Sequence, residues 1–358
     1  MTFDSPKFTA LLDALAAKTG DLESTGAWPA EQLDLLSDAD VLGWMIPQQF
    51  GGSGLTSADI TEGYYALAKS CLVTAFVLTQ RNAAVQRIVG SENEAAREKF
   101  LPALCTSKMF STVGISHLTT SRQHLGKPSV AITPCDGGYT ASGFVPWTSG
   151  AAYADFVLTG GTLPDGQQVL LMVSGTADGF TVKPPASLLA LNASYTGAAE
   201  LSDVFVPDED VIAGPKERVL KQGKGHGTGS LTTSALALGT AAASVARLGE
   251  EAARRDDLIA IHDQLSVEHA TIYDDMQASL LPDADLNTPN LSSESIRQRA
   301  NSFVLRCSQA YLAASKGAGF AKGHPAEQAV REAMFFMVWS CPQPVVAANL
   351  RELACIID

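Results

Sequence analysis

No two cysteines in this chain stand in a C-x-x-C spacing, and the six present (Cys71, Cys105, Cys135, Cys307, Cys341 and Cys355) are scattered. That excludes a disulfide framework or a zinc finger as the basis of the fold and leaves buried free thiols as the expected state. Basic residues are also scarce. With 25 Lys and Arg against 38 Asp and Glu, the formal charge is −13, so the average surface repels nucleic acid and anionic lipid, and small molecules or other proteins are the expected partners. Long apolar runs are missing as well: the stretch 236–245 is rich in alanine and falls short of the roughly 20 residues that cross a bilayer. No membrane span is therefore expected. The start, MTFDSPKF, is acidic and polar where a secretory signal has a basic and then an apolar stretch, which predicts a cytoplasmic protein.

What is present suffices for a large folded protein: 358 residues, 46% hydrophobic and 18% charged, an ordinary globular balance for two or three packed units. Up to about residue 110 the apolar spacing is helical, and in WPAEQLDLL and beyond, Leu33, Leu36 and Val41 line one face. Between two such helices, LGWMIPQQFGGSGLT at 42–56 has a proline followed by three glycines, which stops helix formation and forces a compact loop. From Ser111 the period drops to two. Asp136-Gly-Gly138 and Asp165-Gly166 are hairpin turns, and runs at 156–158, 169–173, 180–183 and 200–206 predict about six or seven strands. After a glycine- and lysine-rich connector at 215–230, helical spacing resumes, with Pro325 at a helix start and Pro342 and Pro344 as breaks. The expected class is α+β multidomain: an N-terminal helical domain (1–110), a middle antiparallel β domain (111–213) and a C-terminal helical bundle (214–358).

Two stretches offer binding chemistry. In GFVPWTSG at 143–150, Trp147 gives a flat apolar face, while Thr148, Ser149 and Gly150 give hydroxyls and bare amides, a combination suited to a flat heteroaromatic ring with polar edges. Trp147 equally reads as a sheet core residue whose neighbouring hydroxyls satisfy edge amides. In SKGAGFAKGHPAEQAVREA at 315–333, Gly317 and Gly319 let a helix end approach a diphosphate, with Lys316 and Lys322 for charge, or else serve a close helix-to-helix turn. The connector's Lys216, Arg218, Lys221, Lys224 and His226 suit phosphates of CoA or a nucleotide, or form a solvated loop. His262, Glu268 and His269 lack a metal-ligand spacing, and no metal is expected.

The helical, β, helical order and three stretches at matching spacing resemble the acyl-CoA dehydrogenase family over nearly the whole chain. GWMIPQQFGGSGL at 43–55 is similar to that family's G-x-P-x-x-x-G-G-x-G-x turn, and DGGYTASGFVPWTSGAAYADF at 136–156 to its flavin-contacting hairpin. KGAGFAKGHPAEQAVREA at 316–333 is similar to its G-G-x-G-Y-x-x-x-x-P-x-E-R-x-x-R-D-A stretch, which touches the flavin diphosphate of a neighbouring subunit. The resemblance implies the acyl-CoA dehydrogenase fold, FAD as cofactor with FMN or no flavin as alternatives, and an acyl-CoA or similar acyl thioester as substrate. It also implies a homo-oligomer, dimer or tetramer, with a hetero-oligomer as the alternative. Residue by residue, it implies Ser116, at the family's ring-bonding threonine, together with Trp147, Thr148 and Ser149 for the flavin ring, and Gly317 and Gly319 for the diphosphate. Arg255 is the nearest candidate for the arginine that family members send across the dimer.

The departures concern chemistry. Removing an α-proton needs a carboxylate base, yet the family's glutamate in Y-E-G-T aligns with Ser340, whose hydroxyl is not ionised near neutrality. The earlier-helix position used by some relatives aligns with Thr233, and no carboxylate lies between Arg218 and Glu250. The family's E-P-G-A-G-S-D loop is replaced by HLTTSRQH at 117–124, Ala313 stands for a glutamine, and Lys316 stands for the first paired glycine. His117 and Cys341 are the substitutes on offer, against the plainer readings of a surface histidine and an inert buried thiol. No residue receives a catalytic assignment. Three functions follow: a flavin oxidoreductase on an acyl thioester with the usual glutamate missing, a flavin-dependent monooxygenase on the same fold, which needs no α-proton base, or the noncatalytic subunit of a heteromeric acyl-CoA dehydrogenase.

Overall fold

A computed structural model describes residues 3, 5–119, 121, 127–221 and 231–356. Local caps start the first helices: α1 (Pro6–Thr25) has the Ser5 hydroxyl accepting from the Phe8 amide, α3 (Ser57–Ser70) opens on a Thr56–Asp59 capping box, and α5 (Glu94–Leu104) opens on Asn93. With α2 (Ala30–Asp38) and α4 (Leu72–Val89) they form the helical first third. The 42–56 loop folds back on itself, the amides of Ser53 and Leu55 donating to the carbonyls of Gly43 and Trp44. Gly52 permits this closure, since a Cβ there would lie 2.0 Å from the Ile46 carbonyl oxygen.

The middle of the chain forms one sheet from β1 (Ser111–Val113), β2 (Val130–Cys135), β3 (Gly138–Ser149), β4 (Phe156–Thr162), β5 (Gln168–Ser174), β6 (Phe180–Val182), β7 (Thr196–Pro207) and β8 (Val211–Lys216). The order is β6-β7-β3-β2-β4-β5-β8, with β1 attached to β4. Among the described residues the sheet has eight strands rather than six or seven, and it is mixed rather than antiparallel. β1 runs parallel to β4 (Ser111↔Phe156), and β2 meets β4 in parallel at Ala131↔Thr162. A strand of three residues is too short to show a period of two, and strand direction is not written in alternation.

The last third contains α6 (Leu231–Ala252), α7 (Ile259–Ala278), α8 (Ser293–Ala314), the single turn α9 (Lys316–Gly319), α10 (Pro325–Phe335) and α11 (Gln343–Leu353). By length and composition α6 could cross a membrane, but 72% of its most apolar window is buried inside the protein. It is a core helix, packed on α3 and α8. At its middle Gly239 lets two backbones touch: a Cβ would sit 2.2 Å from the Tyr65 carbonyl oxygen of α3. One apolar core joins the two helical parts, with Leu15, Leu36, Trp44 and Leu67 from the first and Leu236, Leu238, Phe303 and Phe336 from the last. A second core packs Val85 and Phe100 of α4 and α5 against Leu158 and Leu170 of the sheet.

Candidate functional site

The end of β3 is reshaped by a bulge. Val145 pairs with Ala199 and Thr148 with Gly197 of β7, so β3 carries one extra residue there, and such an insertion re-aims the side chains next to it. Trp147 consequently leaves the sheet interior and is 49% exposed, whereas Thr148 and Ser149, its two successors, are both buried. Trp147 is therefore not a core residue.

The hydroxyls behind it differ. Ser149 Oγ lies 2.7 Å from Thr196 Oγ1, and its carbonyl accepts from Thr112 Oγ1 at 2.6 Å. Thr148 Oγ1 is buried without a hydrogen-bond partner among the described residues, as is Ser116 Oγ. Ser116 opens a short turn after β1, packed on β3, and the intervening Gly114 lets strand and turn approach: a Cβ there would be 2.5 Å from Thr148 Oγ1. Gly114, two residues before Ser116, thus packs directly against Thr148. Beyond Thr148, Gly150, in the left-handed region at φ 69°, backs onto Trp28, which stacks on Tyr153 with ring centroids 4.6 Å apart. Nothing in the sequence marked Trp28, from the α1–α2 link, as a neighbour of this strand end.

His117 is buried, not on the surface, and its Nε2 donates to the Gly160 carbonyl at 2.8 Å. Burial holds its pKa below the usual histidine value, so the ring is neutral and occupied in holding β4. Thr120, Arg122, Gln123 and His124 of the altered loop, with Lys224 and His226 of the connector, lie outside the described residues.

At the diphosphate candidates, Gly317 is exposed with nothing where a Cβ would be, whereas Gly319 is buried, and a Cβ there would lie 2.5 Å from Ser315 Cβ and 3.4 Å from Ala326 Cβ. Gly319 serves the close turn from α8 to α10. Lys316, aligned with a family glycine, itself adopts φ 55°. Arg255 donates to the Ala314 carbonyl at 2.7 Å and to Asp257 at 2.9 Å, so it caps the end of α8 within its own chain.

At the base position Ser340 has φ 47°. The preceding Trp339 lies flat on Phe335 (5.2 Å, 12°) and edge-on to Phe76 (5.1 Å, 89°). Beneath this turn the fully buried Arg297 donates to the Trp339 carbonyl at 3.0 Å, and Asn301 donates to the Phe336 carbonyl at 3.0 Å. Burial pushes the Cys341 thiol above its ordinary pKa despite Arg297 and Asn301 beside it, and Thr233 is buried in α6. Arg297 and Asn301 were missed by reading motifs. The available signal was a charged and an amide side chain at 297 and 301, in helical phase with the apolar Ala300 and Val304. Among the described residues no three His, Cys, Asp or Glu side chains are grouped to hold a metal. An open cleft of about 510 Å³ lies among Ser5, Lys7, Asp40, Gly43, Gly51, Ser53 and Cys105 and includes none of these site residues.

Residues 10–108 match the family model of the acyl-CoA dehydrogenase N-terminal domain. Bovine isobutyryl-CoA dehydrogenase is 23% identical over 247 residues, which is 68% of this chain and 59% of that protein. Butyryl-CoA dehydrogenase of Megasphaera elsdenii superposes over 99% of this chain and 100% of its own, with a TM-score of 0.80 at 17% identity. The dibenzothiophene monooxygenase TdsC of Paenibacillus sp. A11-2, solved with FMN and indole, superposes over 97% of this chain and 94% of its own, with a TM-score of 0.81 at 17% identity. The two solved structures establish the acyl-CoA dehydrogenase fold for this chain; the family model is matched by its first third alone, and the chain spans about 60% of the length of the curated relatives it resembles.

Proposed function

We propose that the chain seats a flavin ring against Trp147 and acts as a flavin-dependent oxidoreductase on an acyl-CoA or similar acyl thioester. One observation carries this: Trp147 is held out of the sheet next to Thr148, and the buried hydroxyls of Thr148 and of Ser116, in the turn packed on the same strand, have no hydrogen-bond partner among the described residues. A buried polar atom left unpaired costs about 1–3 kcal/mol, and a flat ring with polar edges removes that cost on binding. Bound, the flavin would supply two-electron redox chemistry. Trp147 covers one face and excludes water from it; Thr148 and Ser116 orient the polar edge; Ser149, tied to Thr196, fixes the strand end that presents them. FAD is the cofactor proposed. Gly317 offers open backbone to its diphosphate beside the exposed Lys316 and Lys322, while Gly319 holds the turn in shape. The neighbouring Phe320 is 81% exposed, which suits a turn covered by a second copy of the chain in a homo-oligomer.

A monooxygenase is the second reading. It is favoured by Ser340 and Thr233 standing where carboxylates would be and by His117 being neutral and engaged with Gly160. The FMN-bound TdsC on this fold makes FMN the cofactor to test alongside. Freshly purified protein is expected to be yellow and to release FAD on denaturation. Anaerobic bleaching by an acyl-CoA supports the first reading; no bleaching, with an oxygenated product formed from reduced flavin and oxygen, supports the second. Colourless protein that binds neither FAD nor FMN at saturation overturns both and leaves the noncatalytic subunit.

A further inference from the structure

On α10 Arg331 is a hub: it bonds Glu23 of α1, reaches Glu327 one turn back at 2.7 Å, and donates to the Leu189 carbonyl of the β6–β7 loop at 2.9 Å. The next residue, Glu332, is only 8% exposed, and its carboxyl accepts from the Gln328 amide at 2.8 Å. Facing it are Glu23 from α1, Cys71 from the start of α4, and Glu327 and Arg331 from α10 itself. Three carboxyls thus share one guanidinium, and two of them already hold it. A third carboxylate buried beside them keeps its proton, because water is excluded and like charges crowd it.

We propose that Glu332 is a proton-operated latch: protonated, it lets α10 close on α1 and α4 as a neutral hydrogen-bonding group, and ionised, it repels Glu23 and Glu327 and loosens that contact. α10 runs directly into the Phe335–Trp339 stack and the Ser340 turn, so the latch reaches the candidate site from behind. Burial first, then Glu23 and Glu327, against the opposing Gln328 bond and Arg331, raise the carboxyl from 4.5 to about 7. Between those values the folded chain holds a proton that the unfolded chain has released. The stabilisation is complete below 4.5 and is lost as pH rises through about 7.

The test is denaturant unfolding of the whole protein across this range, wild type against Glu332→Gln. The ratio of the two unfolding constants, wild type over variant, is expected to rise about tenfold per pH unit between the two pKa values and then level. A ratio independent of pH overturns the latch. Should the variant fail to fold, infrared difference spectra of the wild type decide: loss of a protonated carboxyl band near neutrality is expected, and its absence overturns the proposal. Hydrogen exchange of the α10 amides, corrected for the intrinsic effect of pH, is expected to quicken above neutrality in the wild type but not in Glu332→Gln, and equal quickening in both also refutes it.

Discussion

Replacing Trp147 by alanine separates a ring-binding surface from a structural one. A buried tryptophan covers about 150–250 Å², and Trp147 leaves 49% of its surface open. A ring lying on one face therefore removes on the order of 50–100 Å² of it from water, or about 1–2.5 kcal/mol at about 25 cal/mol per Å². Flavin affinity is expected to fall roughly 5- to 70-fold in Trp147→Ala, measured by quenching of flavin fluorescence on titration. Because the side chain stands outside the sheet interior, the thermal midpoint is expected to stay within a few degrees. Thr148→Val is the companion. It keeps the shape and deletes a hydroxyl with no partner among the described residues, so the fold is unchanged or gains about 1 kcal/mol, while flavin affinity drops about 3- to 10-fold with the lost hydrogen bond. Wild-type affinity in Trp147→Ala, or a large loss of stability in either variant, rules out Trp147 and Thr148 as a ring-binding surface.

Three other outcomes follow from local geometry. Gly239→Ala forces a methyl to 2.2 Å from the Tyr65 carbonyl, which is expected to cost about 1–3 kcal/mol in denaturant unfolding. Lys316→Gly relieves a left-handed residue, φ 55°, and is expected to stabilise by about 1 kcal/mol by the same assay. His117 is held neutral by burial, below its ordinary value of 6.5, so the unfolded chain binds the extra proton; stability is present above 6.5 and lost as pH falls below it, and His117→Gln is expected to flatten that part of the profile.

The helical, β, helical order was legible because the apolar period changes near Ser111 and again after residue 230, and because Pro325 and the Asp136-Gly turn mark real boundaries. The mixed sheet was not, since a parallel contact such as Ala131↔Thr162 depends on which strands meet in space. The GFVPWTSG stretch could be marked, but whether Trp147 faced inward hung on a single bulge that local composition does not encode. His117 and Arg255 looked available as motif residues; their occupants, the carbonyls of Gly160 and Ala314, are 43 and 59 positions away. Arg297, Asn301 and Glu332 escaped notice for the opposite reason: each works by being enclosed, and enclosure is a property of the assembled helices.

The interior shared by the first and last helices has a consequence for synthesis. The core that Leu36 and Leu67 share with Leu236 and Phe303 is completed only after the whole sheet has been translated, so the leading helices leave the ribosome with part of their apolar faces uncovered and stay prone to aggregation until the chain is nearly finished. A nascent chain stalled at residue 213 should accordingly engage holding chaperones, and release them once the segment through α8 has emerged.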